Sequence, residues 1–362
     1  MRRGYFAVIA GGVLVGLGFG IIATRVQSQQ APVAEGAVKA TSTKTVVKKA
    51  VKPASPKPPL IEARAIFGAL GTPAPMQARA IGFYARGCLA GAAPLPIDGS
   101  VWQAMRLSRN RNWGHPAMIN LIERLGADAK AKDGWPGLLV GDISQPRGGP
   151  MLSGHASHQV GLDADVWLTP MPDRRLTEQE REDLAATSML GEDEILVDPK
   201  VWTAAHGRLI ARAASYPEVE RVLVHPGIKK ALCDAATTPA EKAAISKVRP
   251  YWGHYYHMHI RIACPKDSAS CQAQPPVPAN DHCGREVNDW LATLRKNAAR
   301  AALRPKVPLD PNAKILPPKP GMGLDQLPTE CRTVIDAGAP GTLAEAITKA
   351  KEATAAAKVM PK

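Results

Sequence analysis

Residues 252–262 read Trp-Gly-His-Tyr-Tyr-His-Met-His-Ile-Arg-Ile, and the alternation within this stretch indicates how the chain folds around its chemistry. Alternate residues of a β-strand lie on the same face, so we expect His257 and His259 to point together. The opposite face is apolar and is expected to pack into a core; it consists of Met258, Ile260 and Ile262. Two imidazoles about 7 Å apart on one strand face can both contact a single metal ion or the water bound to it.

A second stretch, residues 153–167, supplies the complementary groups: Ser-Gly-His-Ala-Ser-His-Gln-Val-Gly-Leu-Asp-Ala-Asp-Val-Trp. Asp163 and Asp165 alternate with apolar residues, which predicts a strand that carries both carboxylates on one face. His158 lies in the polar turn that leads into this strand. Two histidines and a carboxylate from different strands suit Zn²⁺ and leave a fourth position for water. No cysteine adjoins these histidines and no H-E-x-x-H motif is present, which argues against a structural zinc site or a helix-based one.

The remaining periodicity predicts an α+β domain. Its small mixed or antiparallel sheet would carry flanking helices and long loops. Helical spacing occurs at 102–106, 116–125 and 201–214. Short β-rich runs occur at 138–143, 161–168, 219–224 and 257–263.

The ends of the chain differ in composition from its middle. Two arginines followed by the apolar residues 4–23 indicate an export signal or a signal-anchor, and the sequence leaves cleavage and membrane attachment open. The predicted organisation is a leader at 1–28, a Lys/Pro/Ala-rich linker at 29–62, a folded domain at 63–295 and a Pro/Lys/Ala-rich tail at 296–362.

The distribution of charge limits the classes of partner that fit this chain, and the cysteines indicate its cellular compartment. The net charge of +14 lies mostly in the two extensions, whereas the predicted domain is nearly balanced, which argues against a nucleic-acid partner. Six cysteines without a C-x-x-C pair, in a chain with an export leader, predict three structural disulfides. Six cysteines allow fifteen pairings, so spacing alone does not give the connectivity.

These motifs together resemble a known family. Residues 154–165, combined with His254, His257 and His259, closely resemble the penicillin-insensitive murein endopeptidases, which belong to the lysostaphin, D-Ala-D-Ala peptidase and hedgehog group of zinc folds. The resemblance runs from about Gly82 to Trp290. It implies a hedgehog/D-Ala-D-Ala-peptidase-like zinc fold.

The resemblance also implies a role for each matching residue. His158, Asp165 and His259 match the zinc ligands. His257 matches a histidine beside the metal that is expected to act as a general base or to steady the oxyanion. His254 matches a further active-site histidine.

Two further features follow from the resemblance. His155 matches a position associated with a second metal, whose other ligands would fall near Asp193, although Leu196 stands where another ligand is expected. The implied disulfides are Cys88–Cys331, Cys233–Cys283 and Cys264–Cys271, and the first of them would tie the tail to the start of the domain.

The expected function is therefore that of a periplasmic zinc endopeptidase. It would use metal-activated water to hydrolyse D-alanyl-meso-diaminopimelate cross-bridges between peptidoglycan peptides, a bond preference that the resemblance implies. One alternative is a zinc D,D-carboxypeptidase or dipeptidase that acts on free peptides. Another is a non-catalytic, zinc-stabilised cell-wall-binding protein.

Overall fold

A six-stranded mixed sheet forms the centre of the protein in the computed structural model, which describes residues 61–278, 283–303, 321–338 and the single residue 348. The strands of the fold are β1 (Arg79–Phe83), β2 (Arg86–Ala90), β3 (Ala93–Pro94), β4 (Trp102–Ala104), β5 (Trp113–Gly114), β6 (Leu138–Val140), β7 (Asp163–Trp167), β8 (Val219–Val224), β9 (Val248–Pro250) and β10 (His257–Ile262).

Helices are interspersed with these strands along the chain. They are α1 (Ala63–Gly68), α2 (Pro116–Asp128), α3 (Glu178–Asp183), α4 (Ala204–Ser215), α5 (Pro226–Ala235), α6 (Pro239–Ala244), α7 (Arg285–Ala302) and α8 (Glu330–Asp336). Short 3-10 turns cover Leu107–Arg109 and Leu324–Gln326, and a π-turn at Ala129–Asp133 extends α2. This mixture of small sheets and helices confirms the α+β class.

The central sheet has the strand order β4-β6-β7-β10-β8-β9. Its inner pairs, from β6 to β8, are antiparallel, and its two outer pairs, β4 with β6 and β8 with β9, are parallel. The two middle strands are β7 and β10, the strands of the two histidine-rich stretches. They pair so that His259 lies directly opposite Asp165 and Arg261 opposite Asp163.

The predicted alternation of the two middle strands is confirmed. The intervening apolar residues all pack into the main core: Leu162, Ala164, Val166, Met258, Ile260 and Ile262. The same core receives one stripe of α2, formed by Met118, Leu121, Ile122 and Leu125, each at most 1% exposed. Each buried aliphatic side chain contributes about 1.5–3 kcal/mol to folding, so this shared core holds the polar face of β7 and β10 rigid.

The helix expected at 102–106 is wrong. Trp102–Ala104 instead forms strand β4, which pairs in parallel with β6 through Trp102 and Leu138. Five residues are too few to separate the helical period from the strand period, and the partner strand decides between them. The other predicted segments correspond to β6, β7, β8, β10, α2 and α4. The bounds of β8 are those predicted, and each of the others has at least one shifted end.

A smaller core joins the start of the domain to the tail. Ile66 and Phe67 of α1 pack with Val334 and Ile335 of α8. The structure contains the disulfides Cys88–Cys331, Cys233–Cys283 and Cys264–Cys271, the three pairs that the resemblance implied. The first of them attaches α8 to β2.

The proposed leader and nearly all of the linker lie outside the described residues, as does most of the tail. The described part of the chain contains no helix long and apolar enough to cross a membrane. Residues 4–23, the apolar segment for which the sequence leaves membrane attachment open, are not among the residues that this finding covers.

Candidate metal centre and active-site cleft

Three groups from the two histidine-rich stretches converge on one point. The Nε2 atom of His158 lies 3.1 Å from Nδ1 of His259. Oδ1 of Asp165 lies 3.4 Å from the first of these nitrogens and 3.2 Å from the second. All three residues are buried. The convergence follows from the sheet, because β7 and β10 are neighbours and place His259 opposite Asp165.

Outer partners determine which ring nitrogen of each histidine faces this point. Nδ1 of His158 lies 2.7 Å from the carbonyl oxygen of Ile143, so Nδ1 carries the proton and Nε2 keeps a lone pair. In His259 the roles are reversed: Nε2 lies 3.0 Å from Oδ1 of Asp163 and donates to it, which leaves the lone pair on Nδ1. Histidines that bind metals typically have such partners.

The backbone of His158 is held in an uncommon conformation. Its φ of +66° is in the left-handed region, which costs a non-glycine residue about 1–3 kcal/mol. The backbone N–H of His158 donates to Oδ2 of Asp163 at 3.0 Å, so the same carboxylate that orients His259 also holds this turn. Strain of this kind clusters at functional sites because the surrounding structure must impose it.

Asp163 is neutralised by an arginine on the neighbouring strand. Arg261 donates to its carboxylate from Nε at 2.7 Å and from Nη2 at 3.2 Å. Burial raises the pKa of Asp163, but the charge of Arg261 and the hydrogen bond from His259 outweigh it and hold that pKa well below its usual range. Asp163 is therefore a permanent anion behind His259.

Asp165 has the features of a ligand that awaits a cation. Burial alone would raise the pKa of Asp165, and positive charge on the neighbouring His257 and His158 is what brings that pKa far below the ordinary value. Its Oδ1 atom is buried and has no hydrogen-bond partner among the described residues. A buried, charged and unpartnered oxygen is costly unless it binds a cation, so the donor set of two nitrogens and one oxygen fits a metal ion.

Two further histidines stand beside this cluster. Nε2 of His257 lies 3.6 Å from Oδ1 of Asp165, while its Nδ1 is buried and finds no hydrogen-bond partner in the described part of the chain. Burial lowers the pKa of His257, which keeps the ring neutral. The ring of His254 lies 4.9 Å from that of His257, and burial together with the neighbouring His259 lowers its pKa to about 3.

His254 is also fixed by its own loop. Its φ is +54°, and Nδ1 lies 2.6 Å from the carbonyl oxygen of Trp252, to which it must donate. The remaining ring nitrogen, Nε2, is therefore an acceptor.

His155 lies against the opposite side of the same carboxylate. Its Nδ1 is 3.5 Å from Oδ2 of Asp165, and its Nε2 is 3.0 Å from Oδ2 of Asp142. His155, His158 and Asp165 place ligand atoms within 4.8 Å of one another, so His155 adds a fourth donor beside His158, Asp165 and His259. Asp193, suggested as a partner for a second metal, uses its Oδ1 to accept the backbone N–H groups of Ile195 and Leu196.

The cluster opens into a cleft of about 310 Å³. Asp165, His155 and His257 form part of its lining, and Trp167, Tyr255 and Tyr256 form another part. Sequence reasoning missed three charged residues that also line it, Arg106, Arg109 and Asp142. The signal that could have found Asp142 is its position inside the β-rich run 138–143, just past the end of β6, but nothing local ties Arg109 to it.

A buried group of imidazoles and carboxylates at the floor of a cleft is typical of metal-dependent hydrolases. A family model described as penicillin-insensitive murein endopeptidase matches residues 80–336. The chain is 44% identical over 217 residues to the penicillin-insensitive murein endopeptidase of Haemophilus influenzae, covering 59% of this chain and 74% of that protein. It is 38% identical over 259 residues to the one of Yersinia enterocolitica, covering 71% and 86%. This chain belongs to the penicillin-insensitive murein endopeptidase family, which confirms the resemblance.

Proposed function

We propose that this protein is a zinc-dependent murein endopeptidase that hydrolyses D-alanyl-meso-diaminopimelate cross-bridges of peptidoglycan. Family membership supports the general activity, since the relatives carry that name. The observation that supports the dependence on a metal is the buried Oδ1 of Asp165. Within the residues that the structure describes, this oxygen has no hydrogen-bond partner, although imidazole nitrogens surround it.

The zinc ligands in this proposal are His158 through Nε2, Asp165 through Oδ1 and His259 through Nδ1. Zinc held there supplies an activated water nucleophile and a Lewis acid for the scissile carbonyl. The ligand arrangement on two adjacent antiparallel strands also supports assignment to the hedgehog/D-Ala-D-Ala-peptidase type of zinc fold.

His257 is the proposed general base. It is neutral because burial lowers its pKa, and its Nε2 faces the ligand carboxylate, so Nε2 is positioned to accept a proton from the attacking water. The same nitrogen then returns the proton to the leaving amine. His254 has only Nε2 as an acceptor, so we assign it to orienting the water or the protonated His257. His155 stays the candidate for a second metal.

The proposed organisation places this chemistry outside the cytoplasm. The leader at 1–28 would export the chain to the periplasm, and an uncleaved segment 4–23 would attach it to the membrane. The linker at 29–62 would then separate that attachment from the catalytic domain at 63–295, and the Cys88–Cys331 disulfide supports a tail at 296–362 that is held on the domain.

The decisive experiment is digestion of purified cross-linked muropeptide dimers, with the products identified by mass. We expect dimers to become monomers, and we expect both a zinc chelator and His158→Ala to stop the conversion. Circular dichroism of the variant verifies that it is folded, and re-addition of zinc to the chelated protein should restore activity. Release of terminal D-alanine from intact dimers would instead favour the D,D-carboxypeptidase. Intact dimers in the presence of one bound zinc would favour the non-catalytic wall-binding protein.

A further inference from the structure

A rigid turn carries Arg109 to the wall of the cleft. The 3-10 turn Leu107–Arg109 is flanked by Arg106 and Asn110, whose φ values of +58° and +51° are both left-handed. The side chain of Asn110 holds the turn in place, because it donates to the carbonyl of Gly71 at 3.0 Å and accepts from the Trp113 indole at 2.7 Å. Such strain persists only where the surrounding structure imposes it, and it fixes where the Arg109 side chain emerges.

The charges around Arg109 do not cancel. Oδ2 of Asp142 accepts from Nη1 of Arg109 at 3.1 Å and from Nη1 of Arg111 at 2.8 Å. Two guanidinium groups therefore share one carboxylate, which leaves a surplus of one positive charge. The side chain of Arg111 is only 7% exposed, whereas that of Arg109 is 44% exposed. The surplus charge thus faces the cleft through Arg109.

Arg109 also keeps hydrogen-bond donors available. Its contact with Asp142 uses Nη1, and no other hydrogen bond of its guanidinium occurs within the described residues. Arg106, the other arginine at the cleft, differs in this respect. Its two terminal nitrogens donate to the backbone carbonyls of Arg181 and Leu184, and its guanidinium lies over the Trp167 ring. The guanidinium of Arg106 is therefore occupied by contacts within the protein, whereas that of Arg109 can still bind a ligand.

The available guanidinium of Arg109 suits an anionic group on the leaving-amine side of the scissile peptide bond. In a D-alanyl-diaminopimelate cross-bridge, the carbon attached to the scissile nitrogen carries a free carboxylate. We propose that Arg109 binds this carboxylate through its free guanidinium edge, an inference that rests on the proposed function. Guanidinium and carboxylate form strong, directional, charge-assisted hydrogen bonds, so this contact would select the substrate and orient its scissile bond. Asp142 acts as a positioning residue that holds Arg109 from behind.

The test compares three muropeptide dimers. The first carries all its free carboxylates, the second is amidated at the carboxylate beside the cross-link, and the third is amidated at the chain-terminal carboxylate. We expect wild-type protein to cleave the second at least about tenfold less efficiently in kcat/KM than the first, because one charge-assisted contact is lost. The third should be cleaved like the first. In Arg109→Gln the kcat/KM values for the first and second dimers should differ by less than about twofold. Arg109→Lys should keep part of the preference for the first dimer.

A binding measurement separates this role from catalysis. Calorimetry of metal-free, full-length protein with the diaminopimelate-containing monomer product should show the same dependence on the free carboxylate, and Arg109→Gln should remove it. Arg174→Gln is the matched control, since Arg174 is an exposed arginine paired with Glu180 outside the cleft. An equal loss by Arg109→Gln on all three dimers would overturn the proposal, as would discrimination against the third dimer instead of the second. Failure of wild-type protein to cleave any dimer would contradict the proposed function itself, and with it the assignment of Arg109.

Discussion

The Nε2 atom of His259 lies 3.0 Å from Oδ1 of Asp163, and this contact decides which nitrogen of His259 faces Asp165. A carboxylate can only accept, so Nε2 carries the proton and Nδ1 presents its lone pair to the cluster. Arg261 holds Asp163 from the other side through two hydrogen bonds. Arg261, Asp163 and His259 thus form a chain of contacts across two neighbouring strands. These contacts orient His259 as a proposed metal ligand before any metal binds.

Asp163→Asn should weaken metal binding without removing a ligand. An amide is a poorer acceptor than a carboxylate and no longer fixes the His259 tautomer, so we expect zinc affinity to fall about tenfold to a hundredfold. Competition with a chromophoric chelator measures this change, and circular dichroism verifies that the variant is folded. Asp183→Asn, at an exposed position of α3, is the matched control. An unchanged zinc affinity in a folded Asp163→Asn protein would contradict this role.

His257→Ala should separate catalysis from metal binding. The proposed ligand set does not include His257, so the variant should keep its zinc, whereas kcat should fall about 10²- to 10⁴-fold with the loss of a general base. Zinc content and steady-state cleavage of muropeptide dimers measure the two effects. His158→Ala is the comparison, since it should lose zinc as well as activity. Loss of zinc in His257→Ala would instead make His257 a ligand.

The sequence was sufficient to predict the polar face of the central strands, because alternate residues of a strand lie on the same face. His257 and His259 alternate with Met258 and Ile260, so any buried strand must present both imidazoles together. The pairing of β7 with β10 also follows once each strand hides its apolar face in the same core. The immediate neighbours of Asp165 could therefore be anticipated from local patterns.

The opposite wall of the cleft could not be anticipated in this way. Arg109 and Asp142 are 33 positions apart and meet through a left-handed turn that no local periodicity marks. Strand β4 was missed for a related reason, because its three residues acquire their conformation from pairing with β6. Contacts made between elements, and backbone conformations imposed by them, are not encoded within a short window of sequence.

Acid should destabilise the protein through His225, the residue that caps the start of helix α5. Its Nδ1 accepts the backbone N–H of Gly227 at 3.1 Å, a role that only the unprotonated nitrogen can fill. Burial lowers its pKa from the ordinary 6.5 to about 4, although Asp193 opposes the shift. Because the folded pKa lies below the unfolded one, this contribution is complete above pH 6.5 and is lost as the pH falls towards 4.

Urea unfolding at pH 7 and pH 5 measures this loss. His225→Asn is the informative variant, because asparagine caps a helix without titrating. Between the two pH values the wild type should lose about 2 kcal/mol more unfolding free energy than His225→Asn, given the 2.5-unit gap between pKa values of 6.5 and about 4. Equal losses in the two proteins would show that the cap does not titrate in this range.

Arg147 should hold the tail helix in place independently of its disulfide. Its Nη1 lies 2.7 Å from the carbonyl oxygen of Val334 and 2.8 Å from those of Ile335 and Ala337, at the end of α8 where carbonyls lack helical partners. A positive charge there is also favoured by the helix dipole. Arg147→Met keeps the length of the side chain but removes the donors, so it should cost about 2–4 kcal/mol of unfolding free energy.

Hydrogen exchange distinguishes this clamp from the covalent attachment at Cys331. In Arg147→Met the amides of α8 should exchange faster while the Cys88–Cys331 disulfide stays intact, because the disulfide fixes one residue and leaves the carbonyl end of the helix without donors. Exchange in β7 and β10 should accelerate by a smaller factor than exchange in α8, since the main core does not include α8. Arg174→Met, at an exposed ion pair, should alter stability by less than about 0.5 kcal/mol. Unaltered exchange in α8 would show that the disulfide alone anchors the tail.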